Sequence, residues 1–171
     1  MCGITGFYSI KHNEFVSRDE LKAMTDCIGH RGPDAQGQYY NDYVGLGHRR
    51  LSILDLSTDA NQPMESHSMR YTCVFNGEIY NFMEIASELN IELKTNCDTE
   101  VVVEAFAEWG ITFINKLNGI FSICIYDKQE HIMYLFRDRL GIKPLFYYWD
   151  GENFAFSSEI KSLLKIKKIR D

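Results

Sequence analysis

Residues 1–10 read MCGITGFYSI. The apolar run at 4–10 is a strand that begins almost at the chain terminus. A cysteine at position 2 of such a strand has two readings. It is a small apolar residue, or it is a nucleophile placed at a chain end. Initiator methionine is usually removed when a small residue follows, which would leave an α-amine and a thiol on the same residue. Their reference pKa values, roughly 7.7–8.0 and roughly 8.5, lie close enough for one to deprotonate the other. N-terminal threonine nucleophiles carry their base in this way. On the dipeptide alone, the bland reading prevails.

Working outward, Ser17 and Glu20 have the spacing of a capping box, and Leu21, Met24 and Ile28 follow on one helical face up to Gly29. His30-Arg31-Gly32-Pro33-Asp34 reads as loop, because Pro33 disfavours helix before it. Strand-like pieces follow at 37–40, 43–49 and 51–54, then a polar loop over 57–69. RYTCVF (70–75) is a strand running into Asn76-Gly77, a pair that reads as a turn in which glycine supplies positive φ. Asn81 and Glu84 suggest a second capping box. Asp98 or Thr99 starts a third helix, which stops at Gly110, and a short helix is expected at 112–117. The last third alternates apolar strands with turns at 128–130 and 150–151. Its strands are apolar enough to be expected buried on both faces. The result is antiparallel strands covered by helices.

The chain has 171 residues, which suits one domain that needs no disulfide or metal to hold it. Net charge is −6, which argues against nucleic acid or an anionic membrane as partner. Five widely spaced cysteines without a C-x-x-C pair suggest neither a disulfide framework nor a zinc site, and a reducing cytoplasm is the expected location. No signal peptide and no apolar run of transmembrane length is read.

Four further features bear on chemistry. Asn76 offers a side-chain N–H and Gly77 a backbone N–H, two donors of the kind that form an oxyanion hole. Glu78 beside them is suited to accept from an amine or to cap the next segment. Arg49 and Arg50 are adjacent in a strand and so face opposite ways. One is a surface charge, the reading favoured for Arg49, and the other points inward with a planar fork for a carboxylate. Asp98 is by default a helix N-cap and, functionally, a carboxylate for a ligand ammonium. A thiol, two oxyanion donors, an arginine and an aspartate together suit an amino acid with an acyl side chain.

The ordered series MCGI-x-G-F, HRGPD, RLSILD, QPM, FNGEIYN, CDTE, RD-x-LGIKPLFY and SSEIKSL runs from Met1 to about Leu164. On these motifs the chain resembles the glutaminase domain of class II glutamine amidotransferases, most closely that of asparagine synthetase. The resemblance implies an α+β N-terminal-nucleophile hydrolase fold, a four-layer αββα sandwich of two antiparallel sheets. It implies that Cys2 attacks the glutamine side-chain amide, that Asn76 and Gly77 hold the oxyanion, and that Arg50 binds the substrate carboxylate. The backbone around Ile53 and Leu54 would line the pocket, Glu78 and Asp98 would contact the α-amino group, and Arg31 would support the nucleophile. A γ-glutamyl thioester on Cys2 would then be hydrolysed to glutamate, with ammonia released.

In the family that ammonia serves a second, ATP-dependent domain with a Ser-Gly-Gly-type loop, which this sequence lacks. Residues 1–164 are thus expected to be the glutaminase domain, and KIKKIRD (165–171) the start of a connection to a synthetase domain. Either this is a glutaminase half, or it stands alone and hands ammonia to a separate chain. No cofactor is expected in this domain, and ATP and magnesium are expected only in the absent one. Expected partners are L-glutamine, a synthetase domain in cis or as a separate chain, and a second copy in a homodimer. Two rival readings stand beside asparagine synthesis: a different acceptor such as a sugar or peptide, and a catalytically silent scaffold. While Met1 is attached, the Cys2 nitrogen is an amide and cannot act as a base.

Overall fold

The computed structural model describes residues 1–11 and 15–171. The chain runs β1 (Gly3–Ser9), α1 (Arg18–Asp26), β2 (Ala35–Tyr40), β3 (Val44–Arg50), β4 (Met64–Glu65), β5 (Tyr71–Ile79) and α2 (Phe82–Leu89). It continues through α3 (Asp98–Trp109), β6 (Gly119–Asp127), β7 (Ile132–Arg137), β8 (Phe146–Trp149), β9 (Asn153–Ser157), α4 (Ile160–Leu163) and α5 (Lys167–Arg170). It divides into two compact units, Met1–Leu51 with Pro144–Asp171, and Ser52–Lys143. Each unit is an antiparallel sheet with helices, an α+β architecture as expected. Among the described residues, no helix is long and apolar enough to cross a membrane.

The first unit holds a five-stranded sheet in the order β2-β3-β1-β9-β8. Ser17 caps α1 with the expected reciprocal box: its hydroxyl accepts from Glu20 N, and the Glu20 carboxylate accepts from Ser17 N. Leu21 and Met24 then bury against Phe7, Phe15, Val16, Ala155, Leu163 and Ile166. Odd-numbered residues of β1 and β3 face these helices. A Cβ on Gly45 would strike Phe7 and Leu21, and one on Gly47 would strike Thr25. Strand alternation therefore turns the even-numbered residues to the opposite face.

The second unit holds a four-stranded sheet, β4-β5-β6-β7, packed on α2 and α3. Its core gathers Cys73, Phe75 and Ile79 of β5, Phe121, Ile123 and Ile125 of β6, and Val101, Val102, Ala105 and Phe106 of α3. Four phenylalanine and tyrosine rings surround Phe106 at 5.0–6.1 Å, mostly edge to face. On β5 the residues that face away from this core are Val74, Asn76 and Glu78.

Several local expectations are corrected. Residues 51–54 are not a strand. The β1–β3 ladder ends at the Gly3–Arg49 pair, and β3 itself ends at Arg50. Asn76-Gly77 is not a turn but lies inside β5, paired with Ser122 and Phe121. Glycine is needed there for close approach, because a Cβ would stand 2.3 Å from the Ile120 carbonyl oxygen. Asn81 makes no cap bond. Its amide bridges Lys116 O and Asn118 N instead, at 2.9 Å each. The N-cap of α3 is Cys97, one residue before Asp98. Gly29–Arg31 is a 3-10 turn rather than open loop, and Gly110–Asn115 another in place of the helix expected at 112–117. Not every late strand is buried on both faces: β8 is an edge strand whose Tyr147 is 70% exposed.

Gly32 packs its Cα directly on the end of β3, where a Cβ would lie 2.4 Å from the Arg49 carbonyl and 2.6 Å from the Arg50 carbonyl carbon. Backbone cannot yield as a side-chain tip can. Gly32→Ala should therefore cost about 1–3 kcal/mol by overpacking, read as a lower urea midpoint at unchanged slope.

Candidate functional site

In the first unit the β1–β3 register decides the geometry. Gly3 pairs with Arg49, so Cys2 stands one step earlier, opposite Arg50. Both are even-numbered and lie on the face turned away from the helices. The Cys2 thiol is half-buried, with Sγ accepting from Leu51 N at 3.4 Å. Arg49 points the other way, donates to Thr25 O at 3.1 Å and pairs with Asp26 at 2.7 Å. It is the structural arginine of the two, and Arg50, 7% exposed, is the inward one. Arg31 reaches back from its 3-10 turn to donate Nε–H to the Cys2 carbonyl at 3.0 Å. Cys2, Arg31 and Arg50 are thus gathered in one unit.

In the second unit β5 carries Asn76, Gly77 and Glu78. Asn76 is 1% exposed, and among the described residues neither atom of its amide has a hydrogen-bond partner. Buried amides in folded proteins are almost always paired, and each group left without a partner costs about 1–3 kcal/mol. Such a side chain is a cost to the fold. The Gly77 N–H is set by alternation along the strand. Residues 71 and 73 face β4, so the N–H groups of Phe75, Gly77 and Ile79 point to that same edge, beyond where β4 ends. The Gln62 side chain takes the Phe75 N–H at 2.6 Å, and Asp98 Oδ2 takes the Ile79 N–H at 3.0 Å. The Gly77 donor lies between these two capped neighbours.

Asp98 is 6% exposed. Burial pushes its carboxyl up from the ordinary 3.8 to about 6, against the lowering effect of the Ile79 N–H, and the neighbouring Glu78 charge adds to the rise. A carboxyl raised in the fold stabilises it fully below its ordinary pKa, and that contribution is lost as pH climbs through about 6. At neutral pH the ionised Asp98 is therefore held at a cost. Glu78, on the same strand face as Asn76, is exposed.

Ile53 and Leu54 have exposed side chains, 73% and 46%. Asp55 next to them accepts from Asn96 N at 2.9 Å, which ties this loop to the segment leading into Asp98. Gln62 is a residue whose role the sequence did not reveal. Its Nε2 donates to Thr99 Oγ1 at 3.0 Å while its Oε1 holds Phe75 N, so it links the neighbours of Asp98 and of Asn76. The only sequence signal was the QPM motif, whose spacing says nothing about a side-chain bridge.

The family model of the glutamine amidotransferase domain matches residues 1–171. Asparagine synthetase [glutamine-hydrolysing] 2 of Bacillus subtilis is 42% identical over 166 residues, which is 95% of this chain and 22% of that protein. Amidase chry2 of Gibberella zeae is 36% identical over 177 residues, 96% of this chain and 26% of that protein. The chain thus spans about a quarter of the length of these curated relatives. Among solved structures, the glutamine phosphoribosylpyrophosphate amidotransferase of B. subtilis superposes with a TM-score of 0.77 at 17% identity, over 95% of this chain and 43% of that one. The family match runs along the whole chain, and relatives of about 40% identity cover nearly all of it: this chain belongs to the glutamine amidotransferase domain family.

Proposed function

We propose that the chain hydrolyses the side-chain amide of L-glutamine through Cys2 and supplies the ammonia to an ATP-dependent synthetase. The observation that carries this reading is Asn76, a buried amide with no partner among the described residues, on the strand that also aims the Gly77 N–H. With Met1 removed, the α-amine of Cys2 takes the thiol proton and the thiolate adds to the amide carbon. The negative charge that develops on oxygen is held by Asn76 Nδ2–H and Gly77 N–H. The Cys2 ammonium then protonates the amide nitrogen, which leaves as ammonia as the C–N bond breaks. A γ-glutamyl thioester remains, and water activated by the same amine releases glutamate. Arg50 holds the substrate carboxylate, and Asp98 and Glu78 take the α-ammonium. The backbone at Ile53 and Leu54 lines the pocket, and Arg31 supports Cys2. None of these steps asks for a metal or cofactor of this domain. ATP and magnesium would enter with a synthetase domain, in cis beyond the 165–171 stretch or as a separate chain.

Asparagine synthesis is the acceptor reaction favoured by the relatives named for it. A different acceptor is the second reading, supported by a relative of similar identity that is named an amidase instead. Acceptor choice would then lie outside this domain.

Incubating Met-processed protein with an electrophilic glutamine analogue should place one adduct on Cys2 by peptide mass. An adduct elsewhere, or none, would favour the scaffold reading. Asn76→Ala should lower kcat by about 10²–10³ while the protein remains folded, measured by glutamate release. The Asp98 carboxyl must be ionised to receive an ammonium. KM for glutamine should therefore rise as pH falls through about 6, by about tenfold per unit well below it. Asp98→Asn should show a high KM without that rise. An unchanged pH profile in the variant would remove Asp98 from substrate binding.

A further inference from the structure

A nucleophile at a chain end has no upstream strand to fix it. Rotation about the first backbone bonds would swing the Cys2 thiol through several ångströms. Two bonds place Ile4, two residues on: Ile4 N donates to Ser158 Oγ at 3.0 Å, and Ser158 N donates to Ile4 O at 2.8 Å. Cys2 itself is held on the backbone at its carbonyl, by Arg31 Nε at 3.0 Å. That grip is only as firm as the guanidinium. Arg31 lies flat along β1 because Gly3 leaves it room: a Cβ there would come within 3.2 Å of Arg31 Cδ.

What orients the guanidinium is Glu159, the residue after Ser158. Its Oε1 accepts from Arg31 Nη1 at 3.1 Å and stands 2.8 Å from His30 Nε2, while Oε2 pairs with Lys161 Nζ at 3.0 Å. The geometry points to Glu159 as a positioning residue for glutamine hydrolysis, acting through Arg31 on the Cys2 carbonyl. Arg31 and Glu159 side chains are 11% and 23% exposed, so the pair is partly shielded from competing water. Burial alone would push the Glu159 carboxyl up, but Lys161, Arg31 and His30 bring it down to about 2, so it is ionised wherever the enzyme works. The SSE segment (157–159) is in this way a two-part clamp. Ser158 holds the Ile4 backbone, and Glu159 holds the arm that holds Cys2.

This role rests on Cys2 being the nucleophile. It predicts a loss in the chemical step and none in substrate binding, because Glu159 is not assigned any contact with glutamine. The test uses Met-processed protein with Glu159→Ala, Glu159→Gln and Cys2→Ala, followed by glutamate release and by thermal melting. Glu159→Ala should lower kcat by about tenfold or more, the order expected for a misplaced reacting group, with KM unchanged within about twofold. Glu159→Gln keeps an oxygen for Arg31 and should recover most of that loss. A rise in KM at normal kcat, an equal loss in the Ala and Gln variants, or a loss that tracks a lowered melting temperature would overturn the positioning role. Normal kcat in Glu159→Ala beside a dead Cys2→Ala would overturn it alone. Full activity in Cys2→Ala would overturn it together with the reading of Cys2.

Discussion

β1 is hydrogen-bonded on both sides, to β3 and to β9, although it begins at the third residue of the chain. Chain ends usually fray, because their backbone groups lose little by turning to water. Here the first strand sits in the middle of its sheet, so the terminus is held by two ladders. The register of one ladder sets Cys2 opposite Arg50, and the exit of the other delivers Ser158 and Glu159 beside it. Glycines at 3, 6, 32, 45 and 47 permit this crowding, since a side chain at any of them would meet a neighbour at 3.0 Å or less. The glycine content of the MCGITG and VGLGHRR segments follows from packing, not from turns.

The second unit solves a different problem, how to present polar groups from the middle of a buried strand. β5 does so with its own periodicity. Its odd positions feed the core around Phe106, and their N–H groups point to an edge that β4 covers only in part. Gln62 and Asp98 cap two of those N–H groups with side chains. Asn76, one residue out of phase, has its amide buried without a partner among the described residues. The unit therefore carries two costs: an unpaired amide at Asn76 and a carboxylate at Asp98 that burial resists ionising. Both fall on residues to which the resemblance assigns glutamine chemistry. Costs of this kind concentrate at working sites, where function overrides the optimum for stability.

Much of this was legible in the chain. The capping box at Ser17–Glu20, the stop at Gly110 and the hairpin around Gly151 rest on local chemistry, and each stands as read. The opposite facing of Arg49 and Arg50 follows from strand periodicity alone. What was not legible depended on partners distant in sequence. Asn-Gly reads as a turn by local propensity, yet pairing with Ser122 and Phe121 forces it into a strand. Asn81 looks like a cap, yet the loop at Lys116–Asn118 competes for its amide and wins. Residues 51–54 look like a strand, yet the ladder has already run out.

The sequence by itself determined the identity of the chemical groups, their order, and the local periodicity that sorts each residue to one face or the other. Those are properties of neighbours along the chain. Tertiary structure alone decided which groups meet: Glu159 with Arg31, Gln62 with both Phe75 and Thr99, Asp98 with the end of β5. These contacts join residues separated by 13 to 128 positions in sequence. No local propensity encodes them, because they exist only once strand register has fixed which backbone groups are left to be satisfied.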